Sequence, residues 1–177
     1  DSVSLLQKAD VAMYAAKRGQ TGYAIYSGEQ QQGSRTDLAF KSELLKAIAS
    51  DELVLHYQPK IDFRSGKVAS VEALVRWQHP ERGFLMPDMF IPLAEQTGMV
   101  NHLTLWVLKN ALLQCVELNK AGTNITMAVN LSAHSLHDLR LPGEVARLLD
   151  RSGIRPGLLI LEITESAVMS DPAEALE

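Results

Sequence analysis

The run Val68-Ala69-Ser70-Val71-Glu72-Ala73-Leu74-Val75-Arg76-Trp77 constrains this chain more than any other stretch. It is apolar, rich in β-branched residues, and bounded by Gly66 before and His79-Pro80 after, so it reads as a buried strand. Inside it sit a carboxylate and a guanidinium four residues apart, and period-two alternation places Glu72, Leu74 and Arg76 on one face. A carboxylate facing a core is costly unless it is paired or bound to a cation. Two explanations of Glu72 are therefore open: a structural pair with Arg76, or a metal ligand.

The neighbouring pattern builds a sheet around this strand. Leu53 to Gln58 reads as a first strand ended by Pro59, Asp62 to Gly66 as a turn, and Lys67 to Trp77 as the second strand. So short a connection makes that pair antiparallel. Ahead of it, Phe40, Leu44, Ala47 and Ile48 stripe a helix from about Asp37 to Ser50. Behind it, Pro87 opens a short helix (Asp88 to Gln96) stopped by Gly98, and a longer helix follows with Leu105, Leu108, Leu112 and Cys115 on one face and Gly122 beyond its end. Ile125 to Leu131 is the third strand, Pro142 to Ser152 a helix stopped by Gly153, and Leu158 to Ile163 the fourth strand. Asp171-Pro172 with Glu174 opens a further helix. Strands separated by helices predict an α/β class with a mainly parallel sheet, which a doubly wound sheet and a barrel satisfy equally.

The first residues differ in character. Leu5, Ala9, Ala12 or Met13, and Ala16 fall at helical spacing, Gly19 is a stop, and Tyr23 to Tyr26 is a short strand. Ser27 to Arg35 carries two glycines and no apolar anchor. The chain thus divides into a segment at 1–27, a linker at 28–36 and a main unit at 37–177.

Composition narrows the function. A net charge of −4 argues against a polyanion-binding surface, so no nucleic-acid polymer is expected as a partner. The single Cys115 permits no internal disulfide and fits a reducing compartment, hence a cytoplasmic location. The most apolar helix is broken by Lys109, Asn110 and Gln114, too polar to span a bilayer, and no signal peptide is visible. Membrane tethering through domains outside this segment stays open. The chain starts without Met and stops inside what reads as a helix, so it is expected to be part of something longer.

Three acceptors stand at or near the carboxyl ends of three strands: Glu72, Asn130 in V-N-L-S, and Glu162 in L-E-I-T-E. Sites in α/β proteins are built at that end of the sheet. Singly, Asn130 is explained as a strand-end turn residue and Glu162 as a salt-bridged position. Together they favour a shared cation, and two carboxylates with an amide oxygen are hard ligands that select Mg²⁺ or Mn²⁺ over zinc. His134 and His137, at i, i+3 spacing among Ser132, Ser135 and Asp138, read as a solvated loop or short helix. Trp77 and Trp106 read as packing groups, and Cys115 as an unreactive core residue.

The ordered set Y-Q-P (57–59), E-A-L-V-R-W (72–77), H-P (79–80), V-N-L-S (129–132) and L-E-I-T-E (161–165) resembles the EAL domain family, phosphodiesterases that linearise cyclic di-GMP. The similarity runs from about Phe40 to the last residue. It implies a TIM-like (β/α)8 barrel with one antiparallel strand at its start, of which this chain holds the N-terminal portion. It also implies metal-assisted hydrolysis of cyclic di-GMP, with Glu72, Asn130 and Glu162 matching metal ligands and Gln58, Leu74 and Arg76 matching substrate contacts. Glu165, grouped with Glu72 as catalytic, matches a glutamate that holds an active-site loop. The segment A-D-V-A-M-Y-A-A-K-R-G…Y (9–23) is similar to the closing helix and strand of GGDEF domains, without the GGDEF motif, so an upstream GGDEF or sensor domain is expected. The family's downstream Asp-Asp pair, Lys and general-base Glu have no counterpart here, and closed barrels need about 250 residues. The chain alone is therefore expected not to turn over cyclic di-GMP, and a homodimer is the expected way to cover its open strand edge. Two rival functions remain: a degenerate EAL module that binds cyclic di-GMP as a receptor, and a scaffold acting only through protein contacts.

Overall fold

The strand that carries Glu72 is the hub of a mixed sheet. In the computed structural model, which describes residues 2–18 and 22–163, β1 (Leu53–Asp62) and β2 (Lys67–His79) form an antiparallel hairpin. Its turn is fixed by Asp62, whose Oδ1 accepts the backbone N–H groups of Arg64 and Ser65 at 2.8 Å each. Gly66, at φ +66°, closes the turn with an N–H bond to the Asp62 carbonyl. On its other side β2 pairs in parallel with β4 (Thr126–Leu131), and β4 in parallel with β5 (Leu159–Ile163), giving the order β1-β2-β4-β5. The antiparallel start followed by parallel strands is as expected.

After α1 (Ser2–Arg18), helices cover one side of this sheet. α2 (Gly28–Ala49), α3 (Pro87–Gln96) and α4 (Val100–Asn119) pack against the odd-numbered residues of β2. Val71, Ala73, Val75 and Trp77 are buried with Phe40 and Leu44 of α2, Phe90 of α3, and Leu103, Leu108 and Cys115 of α4. Trp77 is the centre: fully buried, it meets the Phe40 and Phe90 rings edge-on at 5.8 and 5.6 Å. The chain enters β4 through Asn119, whose amide accepts the Ile125 N–H and donates to the Ile125 carbonyl, both at 2.8 Å. α5 (Ala133–Leu136) and α6 (Leu141–Ser152) follow β4, and α6 ends at Gly153 in the left-handed conformation, φ +68°. No described helix is long and apolar enough to cross a membrane.

Several expectations are corrected. Pro59 does not end β1, which runs three residues further, with Pro59 opposite Val71. An edge strand tolerates proline, because the missing N–H would face away from the ladder, and β1 is at an edge of the described sheet. β2 continues to His79 because Gly83–Leu85 folds back on it as β3, a strand too short to announce itself in the pattern. The helix expected from about Asp37 begins at Gly28 and so runs through the segment read as a linker: glutamine and glutamate propagate a helix well once the Phe40 stripe anchors it. Tyr23 to Tyr26, expected as a short strand, is not one of the strands of the described sheet. The Gly19 stop and the helix expected at Asp171 lie outside the described residues.

Candidate functional site

Register places the site. Gln58 faces Glu72, Glu72 faces Ala128, and Asn130 faces Glu162. Residues opposite one another share a face, as do residues two apart. Gln58, Lys60, Glu72, Leu74, Arg76, Asn130 and Glu162 therefore line the side opposite the helix-covered core. Gln58, Lys60 and Asn130 are exposed there, and Glu72, Leu74, Arg76 and Glu162 are half-buried.

Glu72 lies in the middle of β2, not at its end, but at the end of the parallel ladder. β2 pairs with β4 only over Ser70 to Ala73 and then leaves it for β3. The two strands part directly above Glu72. A largely apolar cavity of about 350 Å³ opens in the gap, with Leu74, Pro87, Ile91, Thr104, Asn130 and Ser132 among its lining.

Three side chains meet around Glu72. Asn130 Nδ2 donates to Glu72 Oε1 at 2.7 Å. Lys60 Nζ stands 3.3 Å from Glu72 Oε2 and 2.5 Å from Glu162 Oε1. The Asn130 hydrogen bond, with the Lys60 ammonium behind it, lowers the Glu72 carboxyl below its ordinary value, although partial burial opposes the shift. Its two carboxylate contacts, Glu162 first, raise the Lys60 ammonium. The group is a negatively charged pair of carboxylates with a cation held between them.

The structure thus brings Glu72, Asn130 and Glu162 together. It does not pair Glu72 with Arg76, whose guanidinium donates to the Val75 carbonyl at 2.8 Å. Glu165 lies outside the described residues. His134 is exposed on α5, 3.9 Å from Glu95. Cys115 is buried, and burial raises its thiol. The residue missed in the sequence was Lys60. Its signal was present, two positions after Gln58 and so on the same face, but ending the strand at Pro59 hid it.

Among the described residues no three His, Cys, Asp or Glu side chains converge into a metal cage. Two carboxylates and one amide nevertheless fit Mg²⁺ or Mn²⁺, which commonly take one or two carboxylates and fill their remaining positions with water and substrate phosphate. The Lys60 ammonium between Glu72 and Glu162 is a stand-in, marking the place where these oxygens hold positive charge. Asn130 presents its nitrogen to Glu72, so ligation through its oxygen requires the amide to turn over.

Comparison with known proteins bears on this geometry. The family described as EAL domain matches residues 41–177. The chain is 38% identical over 177 residues to the cyclic di-GMP phosphodiesterase PdeR of Escherichia coli strain K12, covering 99% of this chain and 27% of PdeR. It is 38% identical over 174 residues to the bifunctional diguanylate cyclase/cyclic di-GMP phosphodiesterase MucR of Pseudomonas aeruginosa, covering 97% of this chain and 25% of MucR. The solved PaMucR phosphodiesterase in complex with c-di-GMP superposes with a TM-score of 0.72 at 40% identity, over 78% of this chain and 56% of that one. The chain spans about a quarter of the length of these curated relatives.

Proposed function

We propose, on the premise that this chain belongs to the EAL domain family, that the whole protein hydrolyses cyclic di-GMP to the linear dinucleotide. The observation that carries this reading is the meeting of Glu72, Asn130 and Glu162 on the open face of the sheet, at the point where β2 parts from β4. Glu72, Asn130 and Glu162 would hold Mg²⁺ or Mn²⁺; the cation, when bound, lowers the pKa of an attacking water and neutralises phosphate charge. Gln58 and Arg76 flank this group on the same face. Arg76 presents a planar donor to phosphate or a guanine edge, and Gln58 can both donate and accept. Leu74 gives the apolar wall between them, beside the cavity. Glu165 would hold an active-site loop, as the family likeness implies.

The mixed sheet, with helices on one side, is the opening of a TIM-like barrel in this reading, and residues 37–177 form part of the EAL unit. Residues 1–27 derive from a GGDEF domain, joined by 28–36. The match to a bifunctional cyclase/phosphodiesterase over 97% of the chain supports this, as do the exposed Leu5, Tyr23 and Ile25. A cytoplasmic homodimer is the assembly this reading favours.

The test is turnover of cyclic di-GMP by the whole protein with and without Mg²⁺ or Mn²⁺. Metal-dependent release of the linear dinucleotide, abolished by Glu72→Ala, is expected. Tight binding of cyclic di-GMP without turnover in saturating metal would make the protein a receptor instead.

A further inference from the structure

We propose that Lys60 is a built-in competitor for the cation site: its ammonium holds Glu72 and Glu162 in the unloaded state and must be displaced for a divalent cation to bind. The inference rests on the reading of Glu72 and Glu162 as cation ligands and concerns what sets the affinity of that site.

The geometry is specific to this residue. Lys60 pairs with Ser70, two positions along the ladder from the Gln58–Glu72 pair and so on the same face, and its side chain enters the site from beneath Glu72. The β1–β2 register shifts between Lys60 and Ile61, so Lys60 is the last residue of β1 held in the register that sets Gln58 opposite Glu72. Both oxygens of Glu72 are thereby engaged, Oε1 by Asn130 and Oε2 by Lys60, while Glu162 Oε1 is held by the same ammonium. The oxygens that would ligate a cation are the ones Lys60 occupies. An ammonium and a divalent ion within about 4 Å of one another repel, and more so at a partly buried site than in bulk water, so the two compete for the same carboxylates. The Lys60 side chain is 43% exposed on a flexible four-carbon stem, and it can leave without disturbing the core. Lys60 is therefore a positioning residue. It keeps two like-charged carboxylates in place while the site is unloaded, and it raises the cation concentration at which loading occurs.

The experiment is a titration of the protein with Mn²⁺, read by the loss of the free-ion electron paramagnetic resonance signal and by calorimetry, with no substrate present. Lys60→Met keeps the apolar stem and removes the charge. It should tighten Mn²⁺ binding about tenfold, the ratio corresponding to one charge-assisted contact at a partly exposed site. Lys60→Gln should tighten it in the same direction, and Lys60→Arg, which keeps the charge, should stay within about twofold of wild type by the same reckoning. Glu72→Gln is the control for the underlying site. If Glu72→Gln loses Mn²⁺ while Lys60→Met binds it no more tightly than wild type, the competitor role is overturned and the cation site stands. Tightening by Lys60→Arg equal to that by Lys60→Met also overturns it, because charge would not be the cause. If wild type and Glu72→Gln bind Mn²⁺ alike, the cation site itself is wrong and this inference falls with it.

Discussion

Trp77→Ala and Arg76→Ala change adjacent residues of β2, and the alternation of the strand assigns them opposite consequences. Trp77 is fully buried, against Phe40 of α2 and Phe90 of α3, and its indole N–H donates to Glu52 at 3.2 Å. Truncating a buried tryptophan costs about 3–5 kcal/mol. Two edge-on ring contacts, worth roughly 0.5–1.5 kcal/mol each, and the indole hydrogen bond put this site at the upper end of that range. With a urea dependence of about 2 kcal/mol per molar, the unfolding midpoint should fall by about 2 M. Trp77→Phe keeps an aromatic ring and gives up the N–H bond and part of the volume, so about 1–2 kcal/mol is expected. Arg76 points the other way, half-buried, with one hydrogen bond to the Val75 carbonyl. Its truncation should cost within about 1 kcal/mol and, under the proposed function, raise the KM of the whole protein for cyclic di-GMP. The assay is urea unfolding followed by far-UV circular dichroism, since the substitution itself alters fluorescence. A Trp77→Ala loss below about 1 kcal/mol, or an Arg76→Ala loss equal to it, would refute the assignment of core and site to the two faces of β2.

Two further outcomes are expected. Gly153→Ala should destabilise by about 1–2 kcal/mol: Gly153 sits at φ +68° with nothing within 4 Å of an added Cβ, so the penalty is purely backbone, and an unchanged or raised thermal midpoint would contradict it. The Arg140 guanidinium, 2.9 Å away, lowers the Asp138 carboxyl from 3.8 to about 2. A depressed carboxyl stabilises the fold above its unfolded value and loses that contribution as pH falls through the folded one. The difference in urea midpoint between wild type and Asp138→Asn should therefore be constant above about pH 4 and shrink between pH 4 and 2; a difference that grew on acidification would reverse the sign.

Much of the fold was legible because its punctuation is local. Gly66, Gly98, Gly122 and Gly153 all adopt positive φ where the chain turns or a helix stops, and only glycine does so without strain. The antiparallel hairpin and the parallel strands after it followed from connection length and helix spacing. What failed depended on neighbours. Whether Pro59 ends a strand is decided by whether its N–H would face a partner, and that is a property of sheet order. Where the helix carrying Phe40 begins, at Gly28 and not near Asp37, depends on the packing of Phe40 that anchors it.

The candidate site divides in the same way. The sequence alone determined that Glu72, Leu74 and Arg76 share a face and that Asn130 and Glu162 stand near strand ends, because a strand's side chains alternate regardless of context. It determined as well that these oxygens suit a hard cation. Only the tertiary structure decided which strands lie side by side, and so which carboxylates meet. It placed Glu72 where β2 leaves β4 for β3. It paired Glu72 with Asn130 and not with Arg76. It brought Lys60, 102 positions from Glu162, between the two carboxylates. Periodicity is written in the chain, but register between distant strands is fixed by the core packed beneath them. A contact across such strands exists only once that core has formed.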